Sequence, residues 1–226
     1  MLTDTVSLLL APTLAAALAA APYPVSMPVL DPLKLCYVTV QTGPETFETE
    51  SVRVAGSRFT PNSVVDVKVN DEVVVSGALV DGDGNLPAGF VASPPVLNGE
   101  RLFTLTATER GEGGASIALE SLASTLGVRV KPQRARPSDK VRLRGRGFTA
   151  RGGIYAHYLL RGKLRRTVRL AKAASGACGS FDVRVPQFPF KPKQGTWRLQ
   201  IDQQRRLSDE GPLINLTIDV RRRPRV

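Results

Sequence analysis

Short runs of apolar residues, many alternating with polar ones, recur along most of the chain. In the first half they are Leu35–Val40, Ser51–Ala55, Val64–Val69, Glu72–Ser76, Leu86–Ala92, Arg101–Thr108 and Ala115–Leu119. A period of two is what a half-buried strand requires, and turn residues separate the runs. Asn70-Asp71 sits between two of them as a two-residue hairpin turn. In the second half the runs are Gly127–Lys131, Asp139–Gly145, Gly153–Leu160, Leu164–Ala171, Phe181–Val185, Thr196–Asp202 and Leu213–Val220. Seven or so short strands per half predict an all-β chain of two β-sandwiches.

The halves also repeat in detail. Val52-Arg-Val-Ala-Gly56-Ser-Arg-Phe59-Thr60 returns as Val141-Arg-Leu-Arg-Gly145-Arg-Gly147-Phe148-Thr149, an offset of 89 residues. That is close to the length of one small sandwich domain. The hairpin at Gly84-Asn85 before Leu86 matches Gly179-Ser180 before Phe181. The expected organisation is an acidic sandwich over 34–124, a basic one over 125–222, and a basic tail over 223–226. Almost no linker separates the two sandwiches.

Residues 1–21 fall outside this pattern. Val6 to Ala21 carries no charge and ends in Ala19-Ala20-Ala21, small residues that suit signal peptidase. The run is short for a membrane span, so the mature chain is expected to have none. Its first residues, Met1-Leu-Thr-Asp4-Thr, lack the Lys or Arg of a usual signal peptide. An Ala-rich buried helix or a disordered leader is the competing reading. Residues 22–33 hold four prolines and read as an extended lead-in.

Charge adds a second division. The chain has 31 Lys+Arg against 20 Asp+Glu, a net +11. Residues 1–126 carry 6 basic and 14 acidic residues, a balance of −8. Residues 127–226 carry 25 basic and 6 acidic, a balance of +19. A genome-wide bias toward Arg would act on both halves, and the first half is acidic. The basic half is therefore read as a surface facing anions: a cell-wall polymer, an acidic protein or nucleic acid. Opposite charges on the halves also permit self-association.

The strand ending Gly145-Arg-Gly147-Phe148-Thr149, the Gly179-Ser-Phe181 hairpin and Gly195-Thr-Trp197 together resemble the immunoglobulin-like repeats of secreted bacterial surface proteins, IPT/TIG-like and filamin-like sandwiches among them. Tyr155-Ala-His-Tyr158, Cys178-Gly-Ser-Phe181 and Asp202-Gln-Gln204 are similar to segments of uncharacterised exported proteins of actinobacteria. The resemblance covers about residues 35–222. It implies a secreted or cell-surface adhesion, scaffold or carbohydrate-binding role, and it brings no catalytic residues with it.

Within the basic half, Arg142, Arg144 and Arg146 fall on one strand face. Lys163, Arg165 and Arg169 are expected on a neighbouring strand. Together they would form a stripe for bidentate contacts with phosphate or carboxylate. The loop Gln187-Phe-Pro-Phe-Lys-Pro-Lys193 sets Phe188 and Phe190 beside Lys191 and Lys193. These aromatics either stack on sugars or bases, or plug the bottom of the sandwich. Cys36 and Cys178 are the only cysteines. Export favours one disulfide, but the bridge requires the two sandwiches to fold against each other; two separate thiols are the alternative.

No catalytic set emerges. His157 is the only histidine and is read as a surface residue on a sheet. Two Cys and one His without ligand spacing make no zinc site. Asp81-Gly-Asp83-Gly-Asn85 opens like a calcium loop, but the sixth and twelfth positions are Leu86 and Ala92, which favours a hairpin turn. Walker, Rossmann and Gly-x-Ser-x-Gly patterns are absent, and no cofactor is expected. The sequence therefore reads as a secreted, non-enzymatic binding or structural protein. A nucleic-acid-binding or virion-associated structural protein is the alternative.

Overall fold

In the computed structural model, residues 27–221 are described. The expected leader and the basic tail over 223–226 lie outside them. The described chain has no helix and is built from 16 strands in four sheets. No helix among the described residues is long and apolar enough to cross a membrane.

The first unit pairs a three-stranded sheet with a six-stranded one. The smaller sheet runs β1 (Val29–Leu30), β4 (Ser51–Ser57), β7 (Leu86–Ala92). The larger runs β3 (Phe47–Thr49), β2 (Cys36–Gln41), β9 (Ser116–Thr125), β8 (Glu100–Glu109), β5 (Val64–Val69), β6 (Glu72–Leu79). All pairings are antiparallel except β2 with β9. Alternate residues such as Val65, Val67, Phe103 and Leu105 point into a core that also takes Val52 and Val54. Each such side chain removed from water contributes about 1.5–3 kcal/mol before entropy is counted. Within the lead-in expected over 22–33, two residues join the first unit as a strand. Val29 and Leu30 pair with Ser57 and Gly56, and Leu30 is core, because an apolar residue beside an open sheet edge gains both ladder bonds and burial.

The second unit pairs two smaller sheets. One runs β10 (Gly127–Lys131), β11 (Lys140–Arg146), β14 (Phe181–Pro186). The other runs β13 (Lys163–Ala171), β12 (Ile154–Leu160), β15 (Gly195–Asp202), β16 (Ile214–Val220). Its core holds Val141, Leu143, Phe148, Ile154, Leu199 and Ile201. At its base Tyr158, Phe188, Phe190 and Trp197 pack ring on ring, with Phe188–Trp197 centroids 5.3 Å apart in an edge-on arrangement. Burial pushes the Tyr158 phenol up to about 12. It is therefore a neutral donor, to Gln187 O at 3.1 Å.

The repeat seen in the sequence is a repeat in space. Phe59 N donates to Gly84 O, and Phe148 N donates to Gly179 O, both at 3.0 Å. Gly84 (φ +80°) and Gly179 (φ +61°) press against the carbonyls of these same phenylalanines, where a Cβ would lie 2.6 and 2.0 Å from the oxygen. A residue at the end of β8, or just after β15, then ties down each turn. In the first unit Glu109 accepts from Thr60 N; in the second, Gln203 accepts from Ala150 N and donates to Ala150 O.

Leu126 alone connects β9 to β10. The two units share β2, which is buried on both faces. Tyr37 enters the first core, 5.7 Å from the Phe103 ring, while Val38 enters the second. Leu126 N donates to Thr39 O at 2.8 Å, and Val96 N to Thr39 Oγ1 at 3.1 Å. Cys36, on the Val38 face, is bonded to Cys178 of the second unit, with their Cα atoms 5.1 Å apart. The units are thus joined by a strand, a backbone hydrogen bond and a covalent bridge.

Candidate anion-binding face

The three strands β10, β11 and β14 alternate with period two, so every second residue faces away from the core. In β11 the outward positions are Lys140, Arg142, Arg144 and Arg146, while Val141 and Leu143 are buried. Register then builds rows across the sheet. Lys131, Arg142 and Arg184 stand opposite one another in one row. Arg129, Arg144 and Asp182 form the next. Neighbouring strands are about 4.8 Å apart and alternate residues about 6.8 Å apart, so the cations form a regular grid.

One carboxylate sits within this grid. Arg142 Nε and Nη2 donate to the Asp182 carboxylate at 2.7 and 2.6 Å, and Arg144 Nε donates to it at 2.9 Å. The Arg142 bonds, followed by those of Arg144, hold the Asp182 carboxyl below the ordinary carboxylate range. Asp182 orients the two guanidiniums but balances only one charge. Arg129 is steadied by Asn98, whose Oδ1 accepts from its Nη2 at 3.1 Å. A shallow depression of about 620 Å³ lies over Lys131, Pro132, Lys140, Arg142, Asp182 and Arg184. Like charges opposite each other destabilise a sheet, so this arrangement costs folding energy that a bound anion would offset.

The stripe expected from the sequence is not one surface. Arg142, Arg144 and Arg146 share the β11 face, but Lys163, Arg165 and Arg169 lie on β13, the edge of the other sheet. A bulge between Tyr158 and Leu159 breaks the alternation along β13. Arg169 turns back to the carbonyls of Ala171 and Lys172 at 3.3 and 2.9 Å. Arg166 lies 5.9 Å from the Phe190 ring centroid. A free strand edge invites pairing with other chains, and a charged edge discourages it. The β13 cations fit that purpose. The sheet partners of β11 are instead β10 and β14, which supply Arg129, Lys131 and Arg184. The alternations Val128-Arg-Val-Lys131 and Phe181-Asp-Val-Arg-Val185 are the signal that identifies them.

The loop at 187–193 takes the plugging alternative and not the stacking one. Phe188 is buried, and both phenylalanines are spent on the aromatic cluster with Tyr158 and Trp197. Lys193 contributes its carbonyl to Trp197 Nε1 at 2.9 Å, and the side chains of Lys191 and Lys193 remain exposed. His157 is not a surface residue. It has no exposed area, because the 203–213 connection folds over the outer face of β12 and β15. Its Nδ1 is 2.9 Å from Thr167 Oγ1, and its Nε2 is 3.2 Å from Asp202 Oδ1 and 3.1 Å from Gln204 O. Gln200 donates to Asp202 Oδ2 at 2.9 Å and to Ser208 O at 2.6 Å. These groups lock the connection to the sheet. Asp81, in the loop that opens like a calcium site, accepts from Asn85 N at 2.8 Å and Asp83 N at 2.9 Å, which closes a turn. Among the described residues, no three His, Cys, Asp or Glu side chains are grouped to hold a metal.

No family model matches the chain, and no curated protein matches it. Several solved structures are similar at low identity, three of them as follows. The E. coli chaperone DraB is 13% identical with a TM-score of 0.31, over 84% of this chain and 97% of that one. A 1.5-MDa bacterial ice-binding adhesin, from work on host cell surface retention, is 15% identical with a TM-score of 0.30, over 74% of this chain and 55% of that one. SGBP-B of the Bacteroides ovatus mixed-linkage glucan utilization locus, in complex with a mixed-linkage heptasaccharide, is 16% identical with a TM-score of 0.22, over 76% of this chain and 40% of that one. Likenesses at such TM-scores carry no argument about what this chain binds.

Proposed function

We propose that this chain is a secreted or cell-envelope-associated, non-enzymatic binding protein of two immunoglobulin-like sandwiches, whose basic second unit holds an anionic polymer of the envelope. The observation that carries the reading is the outer face of β10–β11–β14. Seven cations (Arg129, Lys131, Lys140, Arg142, Arg144, Arg146 and Arg184) stand there with Asp182 as the one carboxylate on the same strands. Guanidiniums present forked donors to phosphate or carboxylate oxygens, and a grid of them suits a polymer with repeated charge better than a single small ion. The acidic first unit acts as spacer and keeps that face away from its own support.

The test is binding of the full chain to purified cell wall across a salt series. Binding should weaken steeply with salt yet persist at about 150 mM, where the Debye length is about 8 Å. Arg144→Glu with Arg184→Glu should weaken it at least tenfold, since each exposed pair lost is worth up to about 1 kcal/mol and reversal adds repulsion. Lys163→Glu with Arg165→Glu on β13 should change it little. Unaltered binding in the β11–β14 pair, or a stronger preference for duplex DNA than for wall, would overturn the reading.

A further inference from the structure

The second sandwich is closed on one side and open on the other. Between β10 and β16, each the unpaired edge of its sheet, lies a cleft of about 1060 Å³. Its walls are the inward side chains of both sheets: Val128, Val130, Leu143, Leu199, Leu216 and Ile218. Val128, Val130, Leu216 and Ile218 are only half-buried, although they pack on the core. The rim has the opposite chemistry, with Arg129, Lys131, Arg134 and Arg221 against the single carboxylate of Asp219.

We propose that this open side receives an extended segment of a partner protein in which apolar and acidic residues alternate. The segment pairs its backbone with the free edge of β10. Side chains on an added strand must alternate between the two faces of the sheet. Those facing inward enter the cleft and cover the half-buried Val128, Val130, Leu216 and Ile218. Those facing outward stand beside Arg129 and Lys131, the outward residues of β10, where a carboxylate is favoured and a cation is not. Charge complementarity therefore selects the outward positions, and the apolar walls select the inward ones. Because β10 has five residues, the paired segment is about as long. The inference does not depend on the polymer reading, because it requires apolar contacts that no polyanion makes.

The probe is a fluorescein-labelled peptide of alternating Glu and Val, nine residues long, titrated with the full chain and followed by anisotropy. Saturable binding is expected. It should fall at least tenfold for the equally charged Glu-Ser peptide. The same loss is expected when the amides facing β10 are N-methylated. Arg129→Glu with Lys131→Glu, both exposed and neutral to the fold by circular dichroism, should lose the Glu-Val peptide and gain a Lys-Val one. Equal binding of Glu-Val and Glu-Ser would reduce the effect to charge on the cationic face and overturn the proposal. So would no binding of Glu-Val, or indifference to N-methylation.

Discussion

Cutting the Cys36–Cys178 bridge should be the most damaging single chemical change to this chain. The bridge spans a sequence separation of 142, so it excludes a large set of conformations from the unfolded ensemble. In the chain-entropy treatment a loop of that size is worth about 5 kcal/mol at 25 °C, and measured losses for native bridges run to about 2–5. For a chain of this length each kcal/mol moves Tm by about 2–4 °C, so reduction should lower Tm by roughly 4–20 °C. Both sulfurs are buried, so the double variant Cys36→Ala/Cys178→Ala also loses packing and should fall slightly further than the reduced native chain. Scanning calorimetry of oxidised, reduced and double-variant protein measures all three. Two alkyl adducts on the unreduced, denatured protein would refute the reasoning at its first step. A Tm unchanged within about 3 °C on verified reduction would refute the magnitude, and with it the idea that the bridge constrains both units together.

Other outcomes follow from single positions. Gly179→Ala should cost about 3 kcal/mol or more in urea unfolding, because its Cβ would meet the Phe148 carbonyl at 2.0 Å and φ is positive. Gly111→Ala, with positive φ but open space around it, should cost about 1 kcal/mol and serves as the comparison. His157→Ala should cost about 2–3 kcal/mol, since it strips a partner from buried Asp202 and leaves a cavity under the 203–213 connection. Asp182→Asn should bind the anionic polymer more tightly and lose one acid-sensitive contribution to stability. The depressed folded pKa of Asp182 means that contribution is present above the ordinary carboxylate value and is lost as pH falls through the folded one. The urea midpoints of wild type and Asp182→Asn should therefore converge in acid, and a gap that widens below about pH 4 would contradict this.

The strands were legible because half-buried sheets write a period of two into the sequence, and 14 of the 16 lie where alternation or apolar runs predict. The two that did not show, β1 and β3, have two and three residues, too few to display a period. Arg142 and Arg144 were legible as outward residues for the same reason. Their neighbours were not, because sheet order is set by crossovers. β11 pairs with β10 before it and with β14, 35 residues beyond its own end, while the intervening β12 and β13 belong to the opposite sheet. His157 misled because alternation places it outward, and only the later 203–213 connection covers it. In β2 the reverse holds. Alternation puts Cys36 and Val38 on one face, but it does not say which core that face meets: Val38 packs into the core of the other unit, and Cys36 is bonded to its Cys178.

If the chain is anchored at both ends, its stapling also decides how it answers to pulling. Tension applied to the two termini reaches Cys36 and Cys178 and passes between them through a covalent bond. The residues between them, nearly all of β2 through β13, stay out of the stretched path however far the ends are drawn. At about 3.4 Å per residue they would otherwise release roughly 480 Å of slack. A tether built this way extends only through the residues outside the bridge while oxidised, and reduction adds that slack to its reach.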